Sequence, residues 1–355
     1  MERYLKNTWY AAAFSDELST NRPLVRTILD QRIVFFRDAA NPPVALFDRC
    51  PHRFAQLHLG VLAGGVIECP YHGLKFDRSG ACVHNPHGNG AIPSLARVTA
   101  YPVNEQYGMV WIWMGDGNGA HPKSIIDLSS FEGETTAINR GYMHTAANYE
   151  LITDNLMDLS HADYVHKESL NTGGSMSKLR PKVGVSKGSV NENWCYETDR
   201  MQAFFSSAVR TPCGPGVQSF NMTWYPASNL ILHATARDAG LPPEADHRHT
   251  SAHLLTPETE VTTHYFVLGT RTWRRDDGKL NSLITQGLMN AFVGEDKPIL
   301  QAVQESMGTK EFWELKPLLL ACDSGAVHAR RILGRMISRE RGESVAGDAA
   351  GLEIT

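Results

Sequence analysis

The chain has 355 residues, 42% of them hydrophobic and 20% charged, and 34 basic side chains stand against 38 acidic ones for a net charge of −4. This is the composition of a globular protein with room for one large or two ordinary domains, and it shows neither the basic excess of a nucleic-acid binder nor an acidic block. Met1-Glu2-Arg3-Tyr4-Leu5-Lys6 lacks the apolar core of a signal peptide, and the apolar run from Leu318 to Cys322 is far too short to cross a bilayer. A cytoplasmic protein with no membrane or nucleic-acid partner is expected. Its six cysteines then serve as metal ligands or core residues rather than disulfides.

Residues 1 to about 115 read as all-β. Arg32 to Arg37 and Met109 to Met114 are β-branched and aromatic runs, bounded by turn signals such as Asn41-Pro42-Pro43 and Asp77-Arg78-Ser79-Gly80. Gly115 to Pro122 is a linker by composition and the best candidate boundary. Its glycines lack the strand–GxGxxG–helix setting of a dinucleotide site. Glu150 to Lys167 is predicted helical, with Leu151, Ile152, Leu156, Leu159 and Ala162 at helical spacing. Strands are predicted over 219–225, 230–233 and 262–267. A long helix follows over 282–307, another over 324–341, and 342–355 reads as a frayed tail. The expected fold class is α+β: an N-terminal all-β domain over 1–118, and a mixed domain over 119–341 that combines an antiparallel sheet with helices.

Two constellations carry chemistry. The first is Cys50-Pro51-His52, sixteen residues, then Cys69-Pro70-Tyr71-His72. Two cysteines and two histidines most commonly bind zinc, but a zinc site usually takes its cysteines from one arm and its histidines from the other. Here each arm supplies one of each. That arrangement suits a [2Fe–2S] cluster with one iron held by the cysteines and the other by the histidines. The prolines stiffen the arms and Gly73 allows close approach of the backbone. His58, His84, His87 and Cys82 fall outside this pattern and read as surface or packing residues.

This stretch resembles the Rieske domain of Rieske non-heme iron oxygenases. The respiratory Rieske proteins carry an additional cysteine pair, whose places are taken here by Ala55 and Tyr71, so the resemblance is to the oxygenase type.

The second constellation, Ile152 to His166, holds Asp154, Asn155, Asp158, His161 and His166. Asp158 and His161 are three apart and share a helix face. His161 and His166 are five apart, about 140° around an ideal helix, so a common metal requires the helix to unwind or turn near Asp163-Tyr164. The spacing is not that of HExxH zinc proteases. A two-His, one-carboxylate iron site needs a third ligand, and Glu295 or Asp296 could supply it. Between these the residues alone do not decide. The family has an Asp-x2-His-x4-His motif and a late Asp after an acidic residue. The resemblance therefore implies mononuclear Fe(II) on His161, His166 and Asp296. It also implies a bridging role for the Asp158 carboxylate, between His72 of a neighbouring subunit's cluster and His161. Asn155 could approach the iron.

Length and the segment Asn155 to His166 look most like the vanillate O-demethylase branch, with a catalytic domain of helix-grip type. The resemblance implies the oxygenase component of a monooxygenase system. Oxygen is the co-substrate, electrons come from NAD(P)H through a separate reductase, and the subunits form a homotrimer. The expected reaction is O-demethylation of a small aromatic acid, a methoxybenzoate such as vanillate, with release of formaldehyde. Methyl or side-chain hydroxylation of a toluenesulfonate-like ring, ring dihydroxylation, a simple electron carrier and a zinc-stapled protein are the alternatives. Asn229 and His253, near strand ends, are candidate substrate contacts.

Overall fold

Alternation of apolar side chains is the strongest signal in the strands. Along Gly216–Tyr225 every second residue is buried, and the same period of two runs through Ser189–Thr198. The computed structural model describes residues 3–20, 22–37, 41–133, 137–167 and 169–343. Of the predicted tail, 344–355 lie outside the described residues. The chain divides into two units. One is Tyr4–Asp127 with Thr256–Glu260, and the other comprises Arg3 and the described residues from Leu128 on, apart from 256–260.

The first unit is built from antiparallel sheets. Trp9–Phe14, Met109–Trp113 and Val103–Gln106 form one, and Leu24–Ile28, Gln31–Phe36, Val44–Phe47 and Ala100–Tyr101 a second. The third, Val61–Ala63, Val66–Glu68, Lys75–Phe76 and Cys82–His84, is a short meander. Leu46, Leu57, Ile67 and Phe76 bury their side chains together with Cys50 and Cys69, so the two cysteines sit in a hydrophobic core rather than on a surface.

The second unit is a seven-stranded sheet in the order Asn139–Thr145, Thr262–Arg271, His247–Thr259, Asn229–Asp238, Gly216–Tyr225, Ser189–Thr198, Lys182–Ser186. Helices α1 (Tyr149–Met157), α2 (Gly278–Met289), α3 (Lys297–Met307) and α4 (Ser324–Glu340) pack on it and on one another. Among the described residues no helix is long and apolar enough to cross a membrane.

Two predicted helices differ from what is seen. The helix expected over Glu150–Lys167 stops at Met157. Asp158 is extended, with φ −110° and ψ 91°, and a short 3-10 turn Leu159–Asp163 follows. The helix expected over Ser282–Met307 is interrupted by a π-helical segment, Asn290–Asp296. Pro298 explains the second departure. It has no N–H to give the preceding turn and its ring crowds that turn's carbonyl. The wider turn, closed by Lys297 N–H to Phe292 O, accommodates it.

A buried cation ties α1 to α4. Arg330 donates from Nε and Nη2 to Asp154 (2.8 and 2.7 Å) and from Nη1 to Glu150 (3.1 Å), and its guanidinium lies 4.2 Å over the Phe312 ring. Both carboxylates help keep Arg330 charged despite its burial. Removing one side of such a group strands the other. Arg330→Ala is therefore expected to lower stability by about 3–5 kcal/mol, read as a shift of the urea midpoint. A loss under about 1 kcal/mol would show that the network contributes no more than an exposed ion pair.

Candidate metal centres and their cavity

The first constellation lies on two loops of the same design. Cys50 N–H donates to Ala55 O and Cys69 N–H to Leu74 O, both at 2.8 Å. Inside each loop the fourth residue after the cysteine donates back to that cysteine's carbonyl, Phe54 at 3.0 Å and Gly73 at 3.1 Å. These two residues have positive φ, 61° and 70°. Gly73 adopts this without strain, and a Cβ there would meet Pro86 Cγ at 3.2 Å.

Cys50 and Cys69 are buried and their thiols hydrogen-bond each other, while the His52 and His72 rings stand with centroids 4.4 Å apart. The Cys50 thiol is pushed up to about 11, first by burial and further by its neighbour Cys69. Nδ1 of His72 is buried with no hydrogen-bond partner. Two buried thiols in contact, beside a buried imidazole nitrogen with no protein partner, are the donor set of a cluster with two sulfur and two nitrogen ligands.

The histidines outside the motif have other work. His58 Nδ1 bonds Asp48 Oδ2 at 2.6 Å, and His87 Nε2 donates to the His72 carbonyl at 2.9 Å. The Cys82 thiol donates to His84 O at 3.3 Å.

The second constellation closes into a triangle. His161 Nε2 is 3.3 Å from His166 Nε2, and Asp296 Oδ1 is 3.5 Å from the first and 3.3 Å from the second. Donors about 2.1 Å from one ion lie about 3.0 Å apart at right angles and about 3.4 Å apart at tetrahedral angles, so one ion fits all three. The far nitrogens are committed. His161 Nδ1 bonds the Asp158 carbonyl, and His166 Nδ1 bonds Glu295 Oε2 at 2.7 Å. Each Nε2 is thereby left with its lone pair toward the triangle, as a ligand requires. Ser169 Oγ donates to the same Glu295 oxygen, and Asn155 Nδ2 donates to Asp296 Oδ1 at 3.3 Å. So Asp296 joins the triangle and Glu295 orients His166.

The resemblance put the carboxylate of Asp158 against His161, but here its peptide carbonyl makes that contact. The reason is local. Asp158 ends α1, its carbonyl has no partner within the helix, and its carboxylate caps the next turn by accepting Ser160 N–H at 2.9 Å.

The loop carrying His166 is held by Asp163, a buried carboxylate. Burial acts to raise it, but the Thr172 hydroxyl and peptide N–H groups from Thr172 and Ser177 outweigh that and hold it below its usual range.

One buried acid near the site has no counterpart in the sequence reading. Glu192 is fully buried and feels the charges of Asp158 and Asp323. Neither oxygen has a hydrogen-bond partner of good geometry, and a weak approach from the Gly325 peptide is outweighed. Burial first, and then the charges of Asp158 and Asp323, push it up to about 9. Gly325 lets α4 come this close, since a Cβ there would lie 2.8 Å from Glu192 Oε2. The signal was in the strand's parity, which places Glu192 on the same face as the buried Val190 and Trp194.

The triad opens into a cavity of about 780 Å³ of empty space, part of it open to solvent. Its walls are mostly apolar, with Phe205, Phe220, Met222 and Phe292 prominent. His249, Ser251 and His253, alternate residues of one strand, also line it. Burial holds both imidazoles neutral, His249 lowered to about 3 and His253 to about 4. Of the two expected substrate contacts, His253 lines the cavity. Asn229 does not; it pairs with Tyr225 at the mouth of a hairpin and lies outside the lining.

Fold and site together define a Rieske-type non-heme iron oxygenase: a [2Fe–2S] domain followed by a domain with a two-His, one-carboxylate iron site. Comparison with known proteins agrees. Residues 8–102 match the Rieske [2Fe-2S] domain and residues 145–339 match the vanillate O-demethylase oxygenase C-terminal domain. The oxygenase component of dicamba O-demethylase from Stenotrophomonas maltophilia is 36% identical, covering 94% of this chain and 98% of that protein. The oxygenase component of chloroacetanilide N-alkylformylase from Rhizorhabdus wittichii is 35% identical, covering 98% of this chain and all of that one. The crystal structure of dicamba monooxygenase bound to dicamba superposes with a TM-score of 0.87 at 35% identity, over 96% of this chain and 99% of that one. The chain belongs to the Rieske oxygenase family, as the oxygenase component of a multicomponent system that receives its electrons from a reductase or ferredoxin partner.

His161→Ala is expected to lower bound iron from about three to about two per chain while the visible spectrum of the cluster survives. Bleaching of the cluster in the same variant would mean that the two sites are not independent. Glu192 gives a second expectation. Its folded-state pKa lies above the unfolded one, so the folded state holds the extra proton. Stability should then fall as pH rises from about 5 to about 9. Glu192→Gln should flatten that slope in thermal melts, and an unchanged slope would return Glu192 to an ordinary ionised state.

Proposed function

We propose that the enzyme removes a methyl group from an oxygen on a small aromatic acid, a methoxybenzoate such as vanillate being the leading substrate. The observation that carries this reading is the placement of the triad at the wall of a mostly apolar cavity lined by phenylalanines. Such a cavity takes an aromatic ring and excludes water. The full-length similarity to a dicamba O-demethylase component supports it. When bound, the iron supplies oxygen activation with electrons relayed from the cluster. Hydroxylation of the methoxy carbon gives a hemiacetal, which collapses to a phenol and formaldehyde. Asn155 steadies the Asp296 carboxylate, and the acceptors behind His161 and His166 hold both rings in place through the cycle.

In this reading the functional assembly is a cytoplasmic homotrimer fed by an NAD(P)H-dependent reductase. Asp158 lies on the electron route from the cluster of a neighbouring subunit to His161, and the end-to-face contacts of such a trimer close into a ring. Oxidative removal of an N-alkyl group is the second reading, favoured by the relative named as an N-alkylformylase component.

Chemically reduced enzyme mixed with oxygenated buffer and a methoxybenzoate should yield formaldehyde and the matching phenol in equal amounts. A diol or a benzylic alcohol without formaldehyde would replace this reading with ring or side-chain hydroxylation. Asp158→Asn should retain both metals and slow steady turnover by about 10- to 100-fold or more. Near-normal turnover would remove Asp158 from the electron route.

A further inference from the structure

A third loop lies against the second cysteine–histidine arm. Pro86 stands over Gly73, in the space that a Cβ on that glycine would crowd, and His87 Nε2 bonds the His72 carbonyl at 2.9 Å. A carbonyl only accepts, so the imidazole donates from Nε2. The His87 ring also meets the His72 ring edge to face, with centroids 5.9 Å apart.

The loop is ordered around that side chain. His87 N–H donates to Asn85 Oδ1 at 3.1 Å, and the His87 carbonyl accepts Gly90 N–H at 2.9 Å. Asn85 Nδ2 donates across the turn to Ala91 O at 2.7 Å, and Ala91 N–H donates to Asn89 Oδ1 at 3.0 Å. His87 itself is exposed. A surface imidazole loses rotamer freedom when it is fixed, and gains a bond for which water competes. A turn whose backbone and two asparagines are already committed lowers that cost and presents the ring in one place.

The bond falls on a residue where it has consequences. Nδ1 of His72 is buried without a hydrogen-bond partner and is the nitrogen left for iron. The ring proton is then on Nε2, on the side away from the metal. A donor on the His72 carbonyl adds partial positive charge beside the cluster ligand. Hydrogen bonds around such a cluster set its potential, and partners behind a ligand fix its orientation.

We propose that His87 is a positioning residue for electron transfer: through the His72 carbonyl it fixes the second arm and favours the reduced cluster. This rests on the [2Fe–2S] site and is independent of the substrate.

The test is a redox titration of the holoenzyme at one fixed pH, followed by visible absorption. Pulsed EPR of the reduced protein gives the nitrogen couplings of the two ligand imidazoles. His87→Phe keeps a ring and removes the donor. It should shift the reduction equilibrium about three- to tenfold toward the oxidised cluster, the effect of one hydrogen bond, and change the couplings of one imidazole. His87→Gln has an amide N–H to put in place of Nε2–H, and should stay within about twofold of the parent protein. His84→Ala removes another exposed imidazole of the same unit and should change neither readout. Should His87→Phe lose its cluster on purification, His87→Ala is compared with His87→Gln in the same way. Equal shifts in the donor-free and glutamine variants, or a shift as large in His84→Ala, would overturn the proposal. A parent-like potential with parent-like couplings in His87→Phe would also overturn it and return His87 to the ordinary surface.

Discussion

Everything at the mononuclear site depends on where two protons go. A neutral imidazole has one N–H, and only the other nitrogen can bind a metal. His161 and His166 each place the N–H on Nδ1, because each has an acceptor behind it: the Asp158 carbonyl in one case and the Glu295 carboxylate in the other. The first acceptor exists because α1 ends where it does. A helix leaves its last carbonyls unpaired and carries partial negative charge at that end, and the extended backbone of Asp158 returns one of them to the ring. Had the helix continued to Lys167, that carbonyl would be spent on the helix ladder and the two rings would diverge.

The other acceptor has to arrive from far along the chain. Glu295 is 129 residues from His166 and reaches it on a segment that also delivers Asp296. Adjacent residues on a regular α-helix point about 100° apart, which sets one side chain toward the ring's far nitrogen and the other toward the triangle. The π segment fixes which is which, and Pro298 is the covalent reason for a wide turn there. The buried Arg330 network holds α1 against α4, while Asp163 holds the loop between His161 and the sheet. The triad thus stands on elements with independent supports, each a buried polar group that is fully paired.

The legible parts of this molecule are the local ones. Cys-Pro-His and Cys-Pro-Tyr-His are spelled within two short loops whose hydrogen bonds close inside themselves, so spacing alone carries the chemistry. The strand around Phe220 was visible for the same reason, since alternation is a property of neighbouring residues. The helix ends were less so: apolar spacing ran on past Asp158, because a 3-10 turn buries Ala162 and half-buries Leu159 as readily as an α-helix would. The choice between Glu295 and Asp296 turned on a register change that no pattern announces, and family resemblance supplied it. Asn229 and His253 looked alike as polar residues near strand ends, yet strand parity and register separate them, one at a hairpin mouth and one on the cavity wall.

Charge is distributed with the same economy. Glu192 holds its proton near the charge of Asp158, and the two cavity histidines are held neutral by burial. The fixed charge facing the cavity is therefore concentrated at the triad, and in an apolar enclosure a concentrated charge acts strongly on whatever is brought beside it. The three side chains of the triangle come from the 3-10 turn after α1, the loop that follows it and the π segment, while His249, Ser251 and His253 come from a strand of the sheet. The triangle and this polar row of the lining thus belong to different elements. A change of side chain among the apolar wall positions of the sheet would alter the shape offered to a ring without disturbing the triangle. Members of one family can in this way share an oxidising centre and differ in the group they oxidise.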